Sequence, residues 1–367
     1  MQKKLKDVES PEVYRNIIQA IFCVIPGMRF LASGSIFLIA KPNNRNYLVL
    51  PLVILYFSGF TQNTVSETVK PIYPESTENQ NSKHVCKKSH QKPSLIAKLP
   101  SGLKETSGLV MFDGLLWTIN DGGNPAEIYL VDTVNGQILR TVKINNAPNY
   151  DWESLTQDDS NVFIGDFGNN SGSRTNLQIL KLGKQKLRQS AVNEIEAQFI
   201  RFYYPDQANF TPKFNNNNFD CEAFFFYNDS LHLFSKNWAD GLTKHYTLPI
   251  DSGTYEANLK GGFNANGLIT DASINQNGNI ILLGYKKTRG KPYTSFAWLF
   301  TANNGTIPFN GQKRRLEFGS VLRVGQTEGI FLKNDNSALI SSESILNGLL
   351  LRPAKLQQID LDACFQE

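Results

Sequence analysis

Residues 151–170 read DWESLTQDDSNVFIGDFGNN, an acidic start, a short strand, a polar turn, a second apolar strand, and an exit rich in Asp, Gly and Asn. The same order recurs four more times along the chain. The five acidic anchors of these repeats are Glu105, Glu153, Glu222, Asp271 and Glu328, separated by 48, 69, 49 and 57 residues. A period near about fifty residues that is built of short strands is typical of propeller blades.

The number of strands predicts how the ring closes. Four strands are predicted after each of the first four anchors, but only three after the last, at 328–333, 337–342 and 348–356. The segment 94–99 precedes the first anchor and is spare. An N-terminal strand that completes the last blade would remove the open edge of the sheet. The sequence therefore predicts an all-β fold in residues 94–367, a β-propeller of five four-stranded blades closed by 94–99. Six blades are an alternative, because the interval 153–222 could contain a degenerate repeat.

The first sixty residues have the features of a leader. They hold seven basic and three acidic residues and three apolar runs, none of which reaches the about 18 to 20 uninterrupted apolar residues that span a bilayer. In the last run, Lys41 and Arg45 precede the apolar stretch 47–57, and Ser58-Gly59 follows, the order found in a secretory signal. This predicts a secreted or cell-envelope protein with a polar, disordered linker at 61–93. Membrane attachment through the first two runs is the alternative.

Charge and missing motifs exclude several functions. Beyond residue 60 the chain holds 30 basic and 30 acidic residues, so nothing indicates a surface for nucleic acid. There is no nucleophile elbow, phosphate-binding loop, dinucleotide fingerprint or HExxH zinc motif. Two of the four histidines lie in the linker, which argues against an ordinary zinc site. We expect a monomer whose partner is an extracellular small molecule or polymer.

The cysteines fit a closed ring. Cys86 lies just before the closing strand and Cys364 just after the last strands, so an exported protein could join them in a disulfide. Cys221 lies inside the third anchor beside a run of Phe and is predicted to be a buried apolar residue.

The acidic anchors are predicted to meet at one face of the propeller. Each anchor starts an innermost strand, and the antiparallel second strand ends at the same face. That face is therefore predicted to hold a metal site formed by Glu105, Glu153, Glu222, Asp271 and Glu328, with ligand-binding residues Asp121, Asp166, Lys236, Trp238 and Glu343. Crowded carboxylates repel, so a cation, protonation or a basic partner must relieve them. Oxygen-rich neighbours favour Ca²⁺ over Zn²⁺.

Other roles for the anchors stay open. Acidic residues at strand starts can bind loop amides and tether neighbouring blades without any metal. A glycan or another extracellular polymer is the expected ligand of an acidic rim. A carboxylate- or Ca²⁺-dependent hydrolase of phosphoesters or glycosides and a structural or adhesion module are the alternatives, and the sequence leaves open whether the protein is an enzyme.

Several motifs together resemble a group of uncharacterised, secreted bacterial β-propeller proteins. The resemblance covers about residues 95–360 and rests on Asn120–Asn124, Asp151-Trp152-Glu153, 165–170, Asp220–Ala223, 233–238 and Thr327–Ile330. This group is more distantly similar to phytase-like esterase and SMP-30-like propellers, in which central carboxylates bind Ca²⁺. The resemblance implies the fold and no particular activity. The chain departs from the Glu pattern at its fourth anchor, Asp271.

Overall fold

The computed structural model describes residues 37–40, 48–51, 89–302, 312–347, 350–362 and 364–365. The chain divides into two compact units, residues 1–68 and 69–367. In the first unit, strands β1 (Phe37–Ala40) and β2 (Leu48–Pro51) form an antiparallel hairpin. The described part of the chain contains no helix with the length and apolar character needed to span a membrane. Most of the leader and linker lies outside the described residues, so export stays a prediction.

The second unit starts with the closing strand and continues into two blades. Strand β3 (Ser94–Lys98) is followed by a 3₁₀ turn at Ser101–Leu103. Blade one contains β4 (Thr106–Phe112), β5 (Leu115–Asn120), β6 (Glu127–Val131) and β7 (Ile138–Ile144). Blade two contains β8 (Trp152–Gln157), β9 (Asn161–Asp166), β10 (Gln178–Gly183) and, after helix α1 (Lys184–Leu187) and the short strand β11 (Glu194–Ile195), β12 (Gln198–Tyr203).

Three further blades complete the unit. Blade three contains β13 (Asp220–Tyr227), β14 (Ser230–Lys236), β15 (Thr243–Pro249) and, after the short strand β16 (Gly253–Glu256), β17 (Asn258–Phe263). Blade four contains β18 (Leu268–Ile274), β19 (Ile280–Lys286), β20 (Thr294–Phe300) and β21 (Lys313–Ser320), and helix α2 (Val321–Val324) follows it. Blade five contains β22 (Gln326–Asn334), β23 (Ser337–Glu343) and, after the hairpin of β24 (Ile345–Asn347) and β25 (Leu350–Arg352), β26 (Lys355–Asp360).

These sheets form the predicted five-bladed β-propeller. The innermost strands β4, β8, β13, β18 and β22 contact one another in that order, and β22 contacts β4. The closing strand pairs with the last blade as predicted, because β3 runs antiparallel to β26 with Lys98 opposite Lys355. The described residues thus form five blades, and the six-blade alternative is wrong.

Some edge strands differ from the prediction. The third strand of blade five is β26 at Lys355–Asp360, whereas 348–356 was predicted, because the apolar residues before it form the separate hairpin β24–β25. Strand β16 leaves its own blade and pairs in parallel with β12 of blade two, and β11 likewise pairs with β7 of blade one. Both exchanges cover an outer edge that would otherwise be open.

Two tight turns show how local sequence sets the hairpins. The pair Asp113-Gly114 joins β4 to β5, and both residues have positive φ values of 51° and 74°. Asn228 and Asp229 join β13 to β14 with φ values of 46° and 56°. Two consecutive positive φ angles define the type I′ turn, whose twist matches that of paired strands and which favours Asn, Asp and Gly.

The hydrophobic core lies between neighbouring blades. Each of the five buried clusters combines residues from two adjacent blades, including blades five and one. Between blades one and two, Trp117 and Trp152 are fully buried. Between blades two and three, Phe167 and Phe224 meet edge to face with ring centroids 5.1 Å apart. Apolar burial is the main favourable term in folding, so the ring depends on contacts between blades as well as on each sheet.

Cys364 is disulfide-bonded, and Cys221 is a free, buried thiol. The predicted partner, Cys86, lies outside the described residues. The pairing of Cys364 with Cys86 stays a prediction.

Candidate functional site

Every innermost strand carries a β-bulge near its start. At each bulge one residue has no partner on the second strand, and these residues are Gly108, Glu153, Glu222, Thr270 and Glu328. A bulge changes the direction of a side chain. Three of the five are glutamates, and all three are buried, with relative exposures of 3% to 6%.

Two predicted anchors do not occupy the bulge. Glu105 precedes β4 and lies three residues before Gly108, and Asp271 lies one residue after Thr270. Side chains alternate between the faces of a strand, so a shift of one residue gives a side chain the opposite direction. Glu105 and Asp271 therefore do not occupy the strand position that Glu153, Glu222 and Glu328 share.

Lys236, at the end of β14, supplies positive charge to one half of the axial face. Its Nζ forms a buried ion pair with Glu222 Oε1. Burial is the largest single influence and lowers the pKa of Lys236, but the neighbouring groups, Glu222 first and then Tyr285 and Glu328, together outweigh burial and raise that pKa well above its ordinary value. Gln326 Nε2 donates to Glu328 Oε1 at 2.8 Å and to Glu343 Oε2 at 3.0 Å. The carboxyl group of Glu222 in blade three therefore has a positively charged partner. Those of Glu328 and Glu343 in blade five share one hydrogen-bond donor.

Burial also affects the carboxyl groups in this half. It is the largest cause that raises the pKa of Glu328 to about 7, and Lys236 opposes it. Burial and then the charge of Glu328 raise the pKa of Glu343 well above its ordinary value. We expect these carboxyl groups to hold protons at neutral pH more readily than exposed ones.

Blades one and two contribute a second carboxylate group, formed by Asp121, Asp151 and Glu153. One carboxylate oxygen can be taken from each residue so that all three oxygens lie within 4.8 Å of one another. None of the ion pairs found among the described residues involves these three side chains. Burial is the largest cause that raises the pKa of Asp121 to about 6, of Asp151 to about 7 and of Glu153 well above its ordinary value. The charges of Lys236 and Arg174 act on Asp121 and Asp151, respectively, but neither outweighs burial, and neither forms an ion pair with these carboxylates.

Two glycines make room for these carboxylates. A Cβ atom on Gly168 would lie 2.6 Å from Asp151 Oδ2 and still closer to Glu153 Oε1. A Cβ atom on Gly122 would meet Asp151 Oδ1. Real Cβ atoms do not approach other atoms so closely, so any larger residue at either position would displace the carboxylates. The loops after β5 and β9 are thus shaped to hold the three side chains together.

The arrangement fits a hard cation. Calcium binds oxygen at about 2.3 to 2.6 Å, so two ligands on opposite sides of the ion are about 4.6 to 5.2 Å apart. Oxygens of Asp121, Asp151 and Glu153 that all lie within 4.8 Å of one another are close enough to contact one such ion. The donors are carboxylate oxygens without nitrogen or sulfur, a set that suits Ca²⁺ better than Zn²⁺.

Asp166, a predicted ligand-binding residue, is held by protein groups. Its Oδ1 accepts from Arg174 Nη2 at 2.9 Å and from the backbone N–H of Asp151 at 3.1 Å. Its Oδ2 accepts from Gln178 Nε2 at 2.9 Å. In this structure Asp166 fixes the backbone that carries Asp151.

Asp220 has a similar role in blade three. It accepts from the backbone N–H of Asn169 at 2.6 Å and from Trp238 Nε1 at 2.7 Å. Trp238 is half-buried, and Lys236 Nζ lies 4.8 Å from its ring centroid. Asp220 thereby fixes the orientation of the predicted ligand-binding tryptophan.

Asp271 links three blades. Its Oδ1 accepts a hydrogen bond from Ser154 of blade two, and its Oδ2 accepts from the backbone N–H of Ile330 of blade five at 2.6 Å. Asp271 is fully buried in blade four. Both oxygens are occupied by protein donors, which is the arrangement expected of a tether. Glu105 lies nearer the surface, where it accepts from Asn124 Nδ2 at 2.7 Å and pairs with Lys104 at 3.7 Å.

We expect Asp271→Ala to lower the free energy of unfolding by about 3 kcal/mol, because it leaves the Ser154 hydroxyl and the Ile330 N–H buried without an acceptor. Urea denaturation with and without millimolar Ca²⁺ measures the effect. The loss should be the same in both conditions. Asp251→Ala, which removes an exposed carboxylate at a position without positive φ, is the control and should have little effect. A loss for Asp271→Ala that occurs only with Ca²⁺ present would instead indicate a metal ligand.

Six of the residues predicted from the sequence do lie near one another at the axial face, whereas Asp151 and Asp220 were not predicted. The charges of Asp121, Glu153, Glu222, Lys236, Glu328 and Glu343 act on one another there. Asp151 and Asp220 each lie two residues before a bulge glutamate in the pattern D-x-E. That pattern, found in blades two and three, was the available signal.

Comparisons with known proteins identify similar folds. No family model matches the chain, and no curated protein matches it. The GH62 α-L-arabinofuranosidase catalytic domain of Coprinopsis cinerea is 12% identical with a TM-score of 0.44, covering 74% of this chain and 98% of that chain. The exo-β-1,3-galactanase of Phanerochaete chrysosporium is 12% identical with a TM-score of 0.42, covering 74% and 65%. The aldose sugar dehydrogenase of Streptomyces coelicolor is 9% identical with a TM-score of 0.38, covering 74% and 98%.

These similarities concern the β-propeller fold alone. At such identities and TM-scores they carry no argument about ligand or reaction. The resemblance to the uncharacterised secreted propellers stays a prediction.

Proposed function

We propose that this protein is an exported β-propeller that binds Ca²⁺ through Asp121, Asp151 and Glu153 and presents a binding face for a glycan or another extracellular polymer. One observation carries the proposal. Three carboxylates from two blades lie together, and none of them forms an ion pair with a basic residue, while Lys236 forms its ion pair with Glu222 in the other half of the same face. A divalent cation is the simplest way to offset the negative charge of three carboxylates that have no ion-pair partner.

The cation would have a positioning role at this face. Calcium takes about six to eight oxygen ligands, and the three carboxylates supply only part of that number. Backbone carbonyls, water or hydroxyl groups of a bound sugar would supply the rest. The protein residues hold the carboxylates in place through Asp166 and through the space left by Gly122 and Gly168.

Export is supported by two independent features. The leader contains a signal-like segment, Lys41–Gly59. Cys364 is disulfide-bonded, and disulfides persist mainly in oxidising compartments.

We expect Ca²⁺ to raise the melting temperature of the wild type by about 5 °C at a concentration 100 times the Kd, because the ion binds only the folded state. Glu153→Gln should abolish most of this rise. Glu222→Gln, the matched control at the equivalent bulge, should retain it, because Glu222 pairs with Lys236. Scanning calorimetry on the three proteins measures these values.

The Ca²⁺ effect should also depend on pH. It should be larger at pH 8 than at pH 5, because Asp121 and Asp151, whose pKa values are raised to about 6 and about 7, must lose protons to bind the ion. An unchanged wild-type melting temperature up to millimolar Ca²⁺, or equal loss of the rise in both variants, would contradict the proposal.

A carboxylate-driven hydrolase is the second candidate. The observation that favours it is the raised pKa of Asp151, to about 7, beside Asp121, with a pKa raised to about 6. At neutral pH one of two such groups can hold a proton while the other is ionised, as general acid and base require. Turnover of chromogenic glycosides or phosphoesters that is lost in Asp151→Asn would distinguish an enzyme from a binding module.

A further inference from the structure

A cleft of about 560 Å³ opens between blades three and four on the axial face. Four loops form it, namely the loop before β13, the loop after β14, the loop before β18 and the loop after β19. Its lining includes two aromatic rings, two lysines and three asparagines, namely Trp238, Tyr293, Lys286, Lys287, Asn215, Asn264 and Asn266. A concave site of this kind, with a few polar groups around aromatic surface, is typical of ligand sites.

The charge of the cleft is positive. Lys286 Nζ donates to Asn266 Oδ1 at 2.7 Å, and neither Lys286 nor Lys287 belongs to any ion pair found in the described part of the chain. The lining contains one carboxylate, Asp240, and both of its oxygens already accept hydrogen bonds from other protein groups. Asp240 Oδ2 accepts from Asn218 Nδ2 at 2.6 Å, and Oδ1 accepts from the backbone N–H of Leu242 at 2.9 Å. The two ammonium groups therefore remain available to an anion.

The aromatic rings are held in place from the axial site. Tyr293 stacks on Tyr285 with ring centroids 5.4 Å apart and an interplanar angle of 19°. Lys236 Nζ lies 4.8 Å from the Trp238 ring centroid and 5.1 Å from that of Tyr285. The hydrogen bond from Trp238 Nε1 to Asp220 fixes the indole further. The platform is thus pre-organised, which reduces the entropy lost when a ligand binds.

These features together define a ligand class. An aromatic platform offers apolar surface to the C–H face of a sugar ring, and asparagine side chains can donate to and accept from its hydroxyl groups. Ammonium groups form charge-assisted hydrogen bonds with carboxylates or sulfates. We propose that this cleft binds an acidic saccharide, a sugar polymer that carries carboxylate or sulfate groups. The inference deepens the proposed function and rests on it for the extracellular polymer, but not for Ca²⁺.

Isothermal titration with defined polymers tests the inference in the full-length protein. The probes are oligogalacturonate for carboxylate, dextran sulfate for sulfate, and methyl-esterified oligogalacturonate and plain dextran as their neutral counterparts. At least one acidic probe should bind, and its neutral counterpart should bind far more weakly. The probe that binds identifies which anion the cleft takes.

The variant Lys286→Gln/Lys287→Gln should weaken binding of that acidic probe about 10- to 100-fold, because a hydrogen bond to a charged group contributes about 1.5 to 3 kcal/mol. The matched control, Lys98→Gln/Lys260→Gln, removes two exposed lysines outside the cleft lining and should bind like the wild type. Equal weakening in both variants, equal binding of acidic and neutral probes, or no binding of any probe would overturn the inference.

The same titrations separate this inference from the Ca²⁺ proposal. Glu153→Gln should lose the Ca²⁺ response and keep binding of the acidic probe, because Glu153 does not line the cleft. If the wild type binds the acidic probe at this cleft but shows no Ca²⁺ response, the proposed Ca²⁺ site fails and the saccharide site stands.

Discussion

Lys236→Met lowers the free energy of unfolding by about 3 to 5 kcal/mol at pH 8 in this account, because removing one partner of a buried ion pair leaves an uncompensated charge. The ammonium group is buried with Glu222 and lies near Glu328. Methionine keeps most of the side-chain volume, so the loss reports the charge rather than a cavity. Urea denaturation of wild type and variant measures it.

The defect should depend on pH in a definite direction. Once Lys236 is removed, Glu222 and Glu328 avoid an unpaired charge by holding protons, so their folded pKa values rise further above the ordinary value of 4.5. A carboxyl group with a raised folded pKa contributes stability below its unfolded pKa, and this contribution is lost as pH rises through the folded pKa. Glu328 already has a pKa of about 7 in the wild type. The variant should therefore approach wild-type stability near pH 4.5 and lose stability through pH 7 and above.

Two controls distinguish this explanation from general damage. Lys236→Met/Glu222→Gln removes both charges of the pair and should recover part of the loss, because no unpaired carboxylate remains at that position. Lys104→Met breaks an exposed ion pair with Glu105 and should have little effect. A double variant as unstable as the single one, or a defect that does not change with pH, would contradict the account.

Gly108→Ala should destabilise the ring by about 2 to 4 kcal/mol, the sum of left-handed backbone strain and overpacking. Gly108 has a φ of +62°, and a Cβ atom there would lie 2.5 Å from the backbone nitrogen of Leu155 and 2.8 Å from Ser154 Cα. Those atoms belong to the innermost strand of blade two. Alanine would therefore force two blades apart at the axis, where five blades leave little space.

Gly114→Ala provides the matched comparison. Gly114 also has a positive φ, of +74°, but a Cβ atom there would have nothing within 4 Å. We expect Gly114→Ala to lower the free energy of unfolding by the backbone strain alone, about 1 to 2 kcal/mol. The difference in unfolding free energy between the two variants measures the close contact between blades, and equal values would show that the contact relaxes at no cost.

Much of the fold was predictable because its signals are local and repeated. The turn Asp113-Gly114 and the spacing of the acidic starts predicted the blades, and the missing strand after Glu328 predicted closure by β3. The exchange of β11 and β16 between blades was not predictable, because it depends on pairing between segments far apart in sequence. The hairpin β24–β25 was mistaken for part of a blade strand because its apolar residues have the composition of a strand.

The site was predicted less completely because a bulge changes register without a clear sequence signal. In blades two, three and five the acidic anchor coincides with the bulge residue, so Glu153, Glu222 and Glu328 were placed at the axial face. In blade four the bulge residue is Thr270, and the shift of one position makes Asp271 a tether. Which carboxylates Lys236 would neutralise could not be read from sequence either, since that depends on contacts across the ring.

The central claim is that a cation lies among Asp121, Asp151 and Glu153. Anomalous diffraction from crystals grown with and without Ca²⁺, and from crystals in which a lanthanide replaces it, measures this directly. The account predicts one anomalous peak within about 2.3 to 2.6 Å of an oxygen of each of these three residues, and no peak beside the Lys236–Glu222 ion pair. A peak at the lysine-neutralised half, or none at the three carboxylates at millimolar Ca²⁺, would contradict it.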